Sequence, residues 1–399
     1  MKNWAWIFGT AAIGMPALII RLGGIDIGPE RDAVLFGLAI LGAAFLLAWA
    51  AEAAELDVPR TVAVALLAII AVLPEYAVDI FFAWTAADNP ENLAFAAANM
   101  TGANRLLIGI GWPMVVFLFW FKVRKRGFNL QLARSNSIEL SVLLIATLYS
   151  FIIFTKGSLH IVDSAILLSF FLFYMWMVLR GPVEEPELVG PSATLGALRP
   201  WTRRSVVALI FAYAAFVIIL AAKPFAEGLV ETGKSLGVDE FILVQWLAPL
   251  ASEAPEGIIG AIFALRGNVQ NAMGILISSK VNQWTLLVAS LPVAYNVSLG
   301  SVTNMNLDSR QLEEFLLTSA QSLFAVILLT KLRISLKGVA ILFLLFSTQL
   351  GFISETARYI YILIYLSLTL FLLLGDKERI RSLFGLIPQA LKEARSGAR

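Results

Sequence analysis

Apolar residues in this chain come in runs of about 20, the length at which a helix crosses a bilayer, with short polar links between them. Twelve runs are marked off in this way, at about 3–22, 32–54, 59–86, 91–121, 137–155, 159–180, 203–230, 238–266, 269–300, 311–330, 333–352 and 356–375. The third, fourth, eighth and ninth are too long for a plain span and contain Pro, Gly and polar residues, the pattern of helices broken inside a membrane. The pattern predicts an all-α polytopic membrane protein with about 12 transmembrane helices.

Composition agrees. Apolar residues make up 59% of the chain and charged residues 15%, against about 25% charged in a soluble domain. The apolar surface of so many side chains, 27 Phe and 10 Trp among them, has to be covered by lipid. A net charge of +2 implies no polyelectrolyte partner, so no nucleic acid is expected. Cysteine is absent, which excludes disulfides, thiolate metal sites and cysteine catalysis together. The single histidine, His160 in "TKGSLHIVD", reads as a solvated loop residue. With no H-E-x-x-H motif and no nucleophile–base set, the chain is not expected to be an enzyme or to carry a cofactor. The N-terminal "MKNWAWIFGTAAIGMPALII" has no small-residue cleavage site before "RLGGIDIGPERD" and reads as a retained helix rather than a signal peptide.

Lysine and arginine fix the expected orientation. If the chain changes sides at every span, one side collects 21 of the 30 basic residues and the other 7, with Arg105 and Lys280 inside spans. Both termini are therefore expected in the cytoplasm, the membrane being a prokaryotic inner membrane. After the last span, Ile380, Leu383, Phe384, Ile387 and Leu391 recur at helical spacing opposite a basic face, an amphipathic interfacial helix.

The chain repeats itself. "AELDVPRTVAVALLAIIAVLPEYAVDIFFAW" followed by "NLAFAAANMTGANRLLIGIG" matches "KSLGVDEFILVQWLAPLASEAPEGIIGAIFAL" followed by "NVQNAMGILISSKVNQWTLLVASLP". Each copy has an apolar run, Pro-Glu, a second apolar run, a tight turn, and a span with small and amide residues. Corresponding spans are separated by five helices, an odd number, so the copies insert upside down. Inverted repeats with interrupted helices point to a transporter binding site at the midplane.

At these residues the chain resembles the cation/calcium exchanger superfamily, whose repeats read roughly G-T-S-x-P-E and then G-N-x-x-G-S-N-x-x-N. Pro74-Glu75 and Pro255-Glu256 match the Pro-Glu pair, and Asn99, Gly102 and Asn104 match three points of the second motif. The resemblance covers about 35–345 and implies five plus five helices with one extra at each end. Residues 1–31 then hold an extra helix, 32–180 the first repeat with its motif at 59–121, and 181–202 a hinge-like cytoplasmic linker. The second repeat is 203–352 with its motif at 238–300, followed by an extra helix at 353–375 and the amphipathic tail at 376–399.

The copies also depart from the family. Its Thr-Ser falls on Ala71 and Val72 in one copy and on Ser252 and Glu253 in the other. Its second-motif serine and final asparagine fall on Ala103 and Leu107 in the first copy. In the second, Gly-Ser-Asn becomes Ser278-Ser279-Lys280 and the last asparagine becomes Gln283.

Hard cations take oxygen ligands, carboxylates above all for a divalent ion. Glu75 and Glu256, at matching points of opposed copies, are the candidate metal ligands, able to converge on one ion. The proline before each frees a carbonyl one turn back. Asp79, four residues after Glu75, and Glu253, three before Glu256, share a helical face with their neighbours. Motif alignment adds Asn99, Asn104, Ser252, Ser279 and Gln283 as candidate ion ligands, although such residues also glue transmembrane helices together. Charged groups at the bilayer centre cost roughly 2.5–3.5 kcal/mol each, and Glu75, Asp79, Glu253, Glu256, Arg105 and Lys280 are six of them, with a sum of −2. One divalent cation, two monovalent cations or two protons would balance it; internal ion pairs such as Lys280–Glu253 are the structural alternative. Lys280, where the family has an ion-binding asparagine, is a candidate to replace a bound sodium ion or to carry a proton, with Arg105 a second balancing charge.

The expected function is a secondary-active cation antiporter moving Ca²⁺ or another metal cation against H⁺ or Na⁺. The resemblance implies that helices 32–54 and 203–230 slide to alternate access. A cation channel, or a relative that has lost transport and serves as a sensor or scaffold, is the competing reading. The expected partners are the lipid bilayer and inorganic cations.

Overall fold

A computed structural model describes residues 2–57, 73–123, 129–181 and 188–396. The first part of the expected third span, with Ala71 and Val72, lies outside the described residues, as do residues 124–128 and 182–187. The described chain is almost wholly helical, as the runs predict, and divides into two units: residues 1–85 with 183–255, and residues 86–182 with 256–399. Among the described helices eight are long and apolar enough to cross a membrane.

In the first unit, α1 (Lys2–Gly23) and α2 (Pro29–Ala54) pack with α9 (Pro200–Leu236), and α3 (Leu73–Thr85) also lies against α9. At 37 residues, α9 is about 55 Å long by helix rise, more than the hydrocarbon core needs. Small residues set its closest approach to α2. A Cβ at Gly228 would lie 2.8 Å from the Ala33 nitrogen and 3.0 Å from the Pro29 carbonyl oxygen, and one at Gly37 would lie 2.8 Å from the Phe225 ring. Only glycine allows backbone and ring to come so near.

The second half of the linker is pinned rather than loose. It forms a short helix, α8 (Pro191–Gly196). Asn3 donates to the Gly190 carbonyl at 3.1 Å and to Thr194 Oγ1 at 2.9 Å, while Ser192 donates to Glu52 at 2.5 Å. Arg203 then joins the Gly196 carbonyl, at 2.9 Å, to the Asp57 carboxylate, at 2.5 and 2.8 Å. One cluster of polar contacts thus ties α1, α2, α8 and α9 together.

α10 (Glu240–Arg266) passes from the first unit into the second at Pro255. The expected break at the Pro-Glu pair is not there. Pro249 and Pro255 both sit inside one continuous helix, because each proline removes a single ladder bond and the turns on either side hold.

The second unit contains both copies of the motif's second helix. α4 (Asn92–Leu106) runs through a π turn at Leu107–Gly111 into α5 (Trp112–Val123). α11 (Val269–Asn282) runs through a π turn at Gln283–Leu287 into α12 (Val288–Leu299). The predicted interruptions are therefore widened turns, which shift the hydrogen-bond ladder without ending the helix. Around them stand α6 (Ser137–Lys156), α7 (Ile161–Arg180), α13 (Ser309–Leu329), α14 (Leu336–Gln349) and α15 (Glu355–Leu374).

Two small antiparallel pairings reveal the symmetry. β1 (Asn129–Gln131) pairs with β4 (Arg333–Ser335), and β2 (Ser158–Leu159) pairs with β3 (Met305–Asn306). The two π turns lie 176 positions apart, the separation of Asn104 and Lys280. That offset carries β1 onto β3 and β2 onto β4. The exchange of copies therefore turns one pairing, β1 with β4, into the other, β3 with β2, as a two-fold relation requires.

The tail helix, α16 (Lys377–Ser396), lies against α6 and α7. Leu386, Ala390 and Ala394 are buried there, while Phe384 is 78% exposed. The sequence pattern placed the apolar face one residue round: of its five positions, Phe384 and Ile387 are exposed. Lys331 bonds Asp376 at 2.7 Å and Glu378 at 2.5 Å, and Arg379 caps α13 by donating to the Ile327 and Leu328 carbonyls.

Candidate functional site

The first unit carries Glu75 and Asp79 on one face of α3, both buried, and Ser252 and Glu253 on α10, both buried. Three of these four are carboxylates on apolar helices. Ser252 turns its hydroxyl back to the Ala248 and Pro249 carbonyls, at 3.2 Å each, a bond that occupies its proton and leaves its oxygen as an acceptor.

Glu256 opens the second unit's part of α10. Its Oε2 is buried and meets no hydrogen-bond partner among the described residues. Asn99, on α4, is 1% exposed and neither of its amide atoms is bonded among the described residues; Gln283, at the start of the second π turn, is likewise 1% exposed with both amide atoms unbonded. A buried polar group without a partner costs about 1–3 kcal/mol, so these are oxygen-bearing groups with capacity in reserve. Ser279 is half-buried. Among the described residues no three acidic or histidine side chains cluster tightly enough to hold a metal ion by themselves.

Asn104 and Lys280 meet. Both are fully buried. Lys280 Nζ donates to Asn104 Oδ1 at 2.6 Å and to the Asn104 carbonyl at 3.2 Å, and lies 4.6 Å from the centre of the Trp284 ring. Asn104 Nδ2 is anchored on the Met100 carbonyl at 2.8 Å, and Trp284 is stacked on Phe315. Elsewhere on α11, Ser278 Oγ shares a 2.7 Å hydrogen bond with Tyr174.

Arg105 faces another way. It is ion-paired with Glu314 on α13, and Arg358 on α15 bonds Glu313 at 2.7 Å and reaches Glu314 at 3.8 Å. All four side chains are less than a tenth exposed. Gln321 Nε2 also donates to the Arg105 carbonyl at 3.3 Å, beside the π turn. Glu313, Glu314 and Arg358 are absent from the sequence-based set, although the two acids stand inside the run "QLEEFLL" as plainly as Glu75 does in its own. Trp284 was also missed; its place four residues after Lys280, on the same helical face, was the signal. His160 caps α7 and shares a 2.7 Å bond with Ser158, so it is a structured turn residue.

A family model described as sodium/calcium exchanger protein matches residues 33–180 and 206–354. The crystal structure of the H⁺/Ca²⁺ exchanger CAX is similar at 42% identity and a TM-score of 0.91, over 97% of this chain and 99% of that one. Native YfkE is similar in fold at 13% identity and a TM-score of 0.61, over 90% of this chain and 99% of that one. The sodium-calcium exchanger NCX_Mj is similar in fold at 14% identity and a TM-score of 0.52, over 82% and 99%. No curated protein sequence matches at a significant level. The two matched segments fall on the two inverted copies, and the chain belongs to the sodium/calcium exchanger family of integral membrane cation exchangers.

Proposed function

We propose that the protein exchanges Ca²⁺ for protons, with Glu75 and Glu256 as the carboxylates that hold Ca²⁺ and, in the opposite phase, the protons. The observation that carries this reading is the 42% identity, over 97% of the chain, to a protein described as an H⁺/Ca²⁺ exchanger. Charge supports it. Two carboxylates are neutralised equally by one Ca²⁺ or by two protons, so neither loaded state carries an uncompensated charge through a low-dielectric interior. Asp79 and Glu253 are the proposed flanking acids, and Asn99, Gln283 and Ser279 the neutral oxygens that complete the calcium shell. In this reading Arg105 positions α4 through its ion pair with Glu314.

α2 and α9, joined at Gly37 and Gly228 and clasped through α8, would move as one body to switch access. The test is ⁴⁵Ca²⁺ uptake into proteoliposomes with pH and sodium gradients imposed one at a time. Uptake driven by an outward proton gradient and saturable in Ca²⁺ is expected. Uptake that needs a sodium gradient, or that runs independently of any opposing gradient as a channel would, overturns the reading.

A further inference from the structure

Asn104 and Lys280 are equivalent positions under the 176-residue offset that relates the two π turns and the two strand pairings. Equivalent positions can touch only beside the axis that exchanges the copies. At that point the copies are not alike: one presents an amide and the other an ammonium. The ammonium takes a side-chain amide oxygen at 2.6 Å, a main-chain oxygen at 3.2 Å and the face of Trp284 at 4.6 Å. Amide and carbonyl oxygens are what a bare alkali ion takes in place of its water shell, and an aromatic face favours any cation. The π turn at Leu107–Gly111 begins three residues after Asn104, and the Met100 carbonyl holds the amide so that its oxygen faces the lysine. Two oxygens and an aromatic face are groups that a monovalent cation site would use.

We propose that Lys280 is a tethered cation that fills a monovalent-ion site on the symmetry axis and so bars sodium from the protein, making Lys280 the residue that selects the counter-ion. This deepens the exchange reading above and rests on it for its biological meaning. A bound ion leaves when its concentration falls; a lysine cannot, so the place is closed to Na⁺ at every concentration. A lysine that merely glued α11 to α4 would have the same contacts, and the two roles differ in what its removal creates.

The experiment is equilibrium ²²Na⁺ binding to the purified full-length chain, for wild type, Lys280→Asn and Lys280→Met. Lys280→Asn places a second amide opposite Asn104, and saturable sodium binding at least about tenfold above wild type is expected. Lys280→Met has neither charge nor oxygen and is expected to stay at the wild-type level. Sodium binding by Lys280→Asn no greater than by Lys280→Met overturns the proposal. Should Lys280→Asn not fold, the wild type decides: proton-driven ⁴⁵Ca²⁺ flux unchanged when choline is replaced by sodium supports the proposal, and saturable competition or stimulation by sodium overturns it. Binding in detergent involves no transport, so a failure of the exchange reading, seen as no proton-driven Ca²⁺ flux, is separable from a failure of this one.

Discussion

Replacing Arg105 by Met tests whether the buried charges on α4, α13 and α15 act as one unit. The Arg105 and Glu314 side chains are 1% and 5% exposed, and breaking such a buried pair by removing one partner costs about 3–5 kcal/mol. The two directions should differ. Without Arg105, Glu314 still has Arg358 at 3.8 Å, so Arg105→Met is expected near the lower figure, about 3 kcal/mol. Without Glu314, Arg105 loses the carboxylate of its ion pair while Glu313 stays bonded to Arg358, so Glu314→Leu is expected near about 5 kcal/mol. The double variant leaves the Arg358–Glu313 bond intact at 2.7 Å and should lose at most about 2 kcal/mol, since apolar replacement of a whole buried pair is often neutral. The assay is denaturant unfolding of the four proteins in one detergent, arranged as a double-mutant cycle. Single effects that simply add to within about 0.5 kcal/mol would refute the reasoning, and so would a single cost below about 1 kcal/mol.

Two further outcomes follow from the packing and the clasp. A Cβ at Gly109 would overlap the Phe346 ring, so Gly109→Ala is expected to destabilise by about 1–3 kcal/mol or more, with partial recovery in combination with Phe346→Ala, both read as unfolding midpoints. The Arg203 guanidinium, aided by Arg204, holds the Asp57 carboxyl below its ordinary value. The stability it contributes is therefore present above the unfolded value of about 3.9 and lost as pH falls through the lower folded value. Asp57→Asn should melt below wild type near neutral pH, and the two midpoints should converge in acid; a constant gap at every pH would contradict this.

Periodicity alone made the helix order legible, since hydrocarbon thickness leaves little freedom in span length. α1, α2, α6, α7, α13 and α15 lie within a few residues of their expected runs. What periodicity could not show was how a polar helix stays continuous. A run interrupted by Pro255 or by Gly and Asn near 102–109 reads the same whether the helix breaks or widens into a π turn; only the ladder tells them apart. The candidate acids were legible because a carboxylate in an apolar run is costly wherever it lies. Their partners were less so. Arg358 and Glu313 stand near the ends of their runs, where charge is cheap in sequence terms, and their burial depends on helices distant in the chain. The meeting of Asn104 with Lys280 was within reach of the repeat alignment, which makes the two positions equivalent, but contact between them needed the fold.

The central claim is that Glu75 and Glu256 hold the same ion. Calorimetric Ca²⁺ titration of wild type, Glu75→Gln, Glu256→Gln and the double variant tests it most directly. Each single change is predicted to weaken binding by at least about a hundredfold, near 2.7 kcal/mol, and the double change to do little more, because an ion that has lost one of two shared carboxylates has already lost its site. Independent losses that multiply in the double variant, or a single variant that binds Ca²⁺ as wild type does, would contradict it.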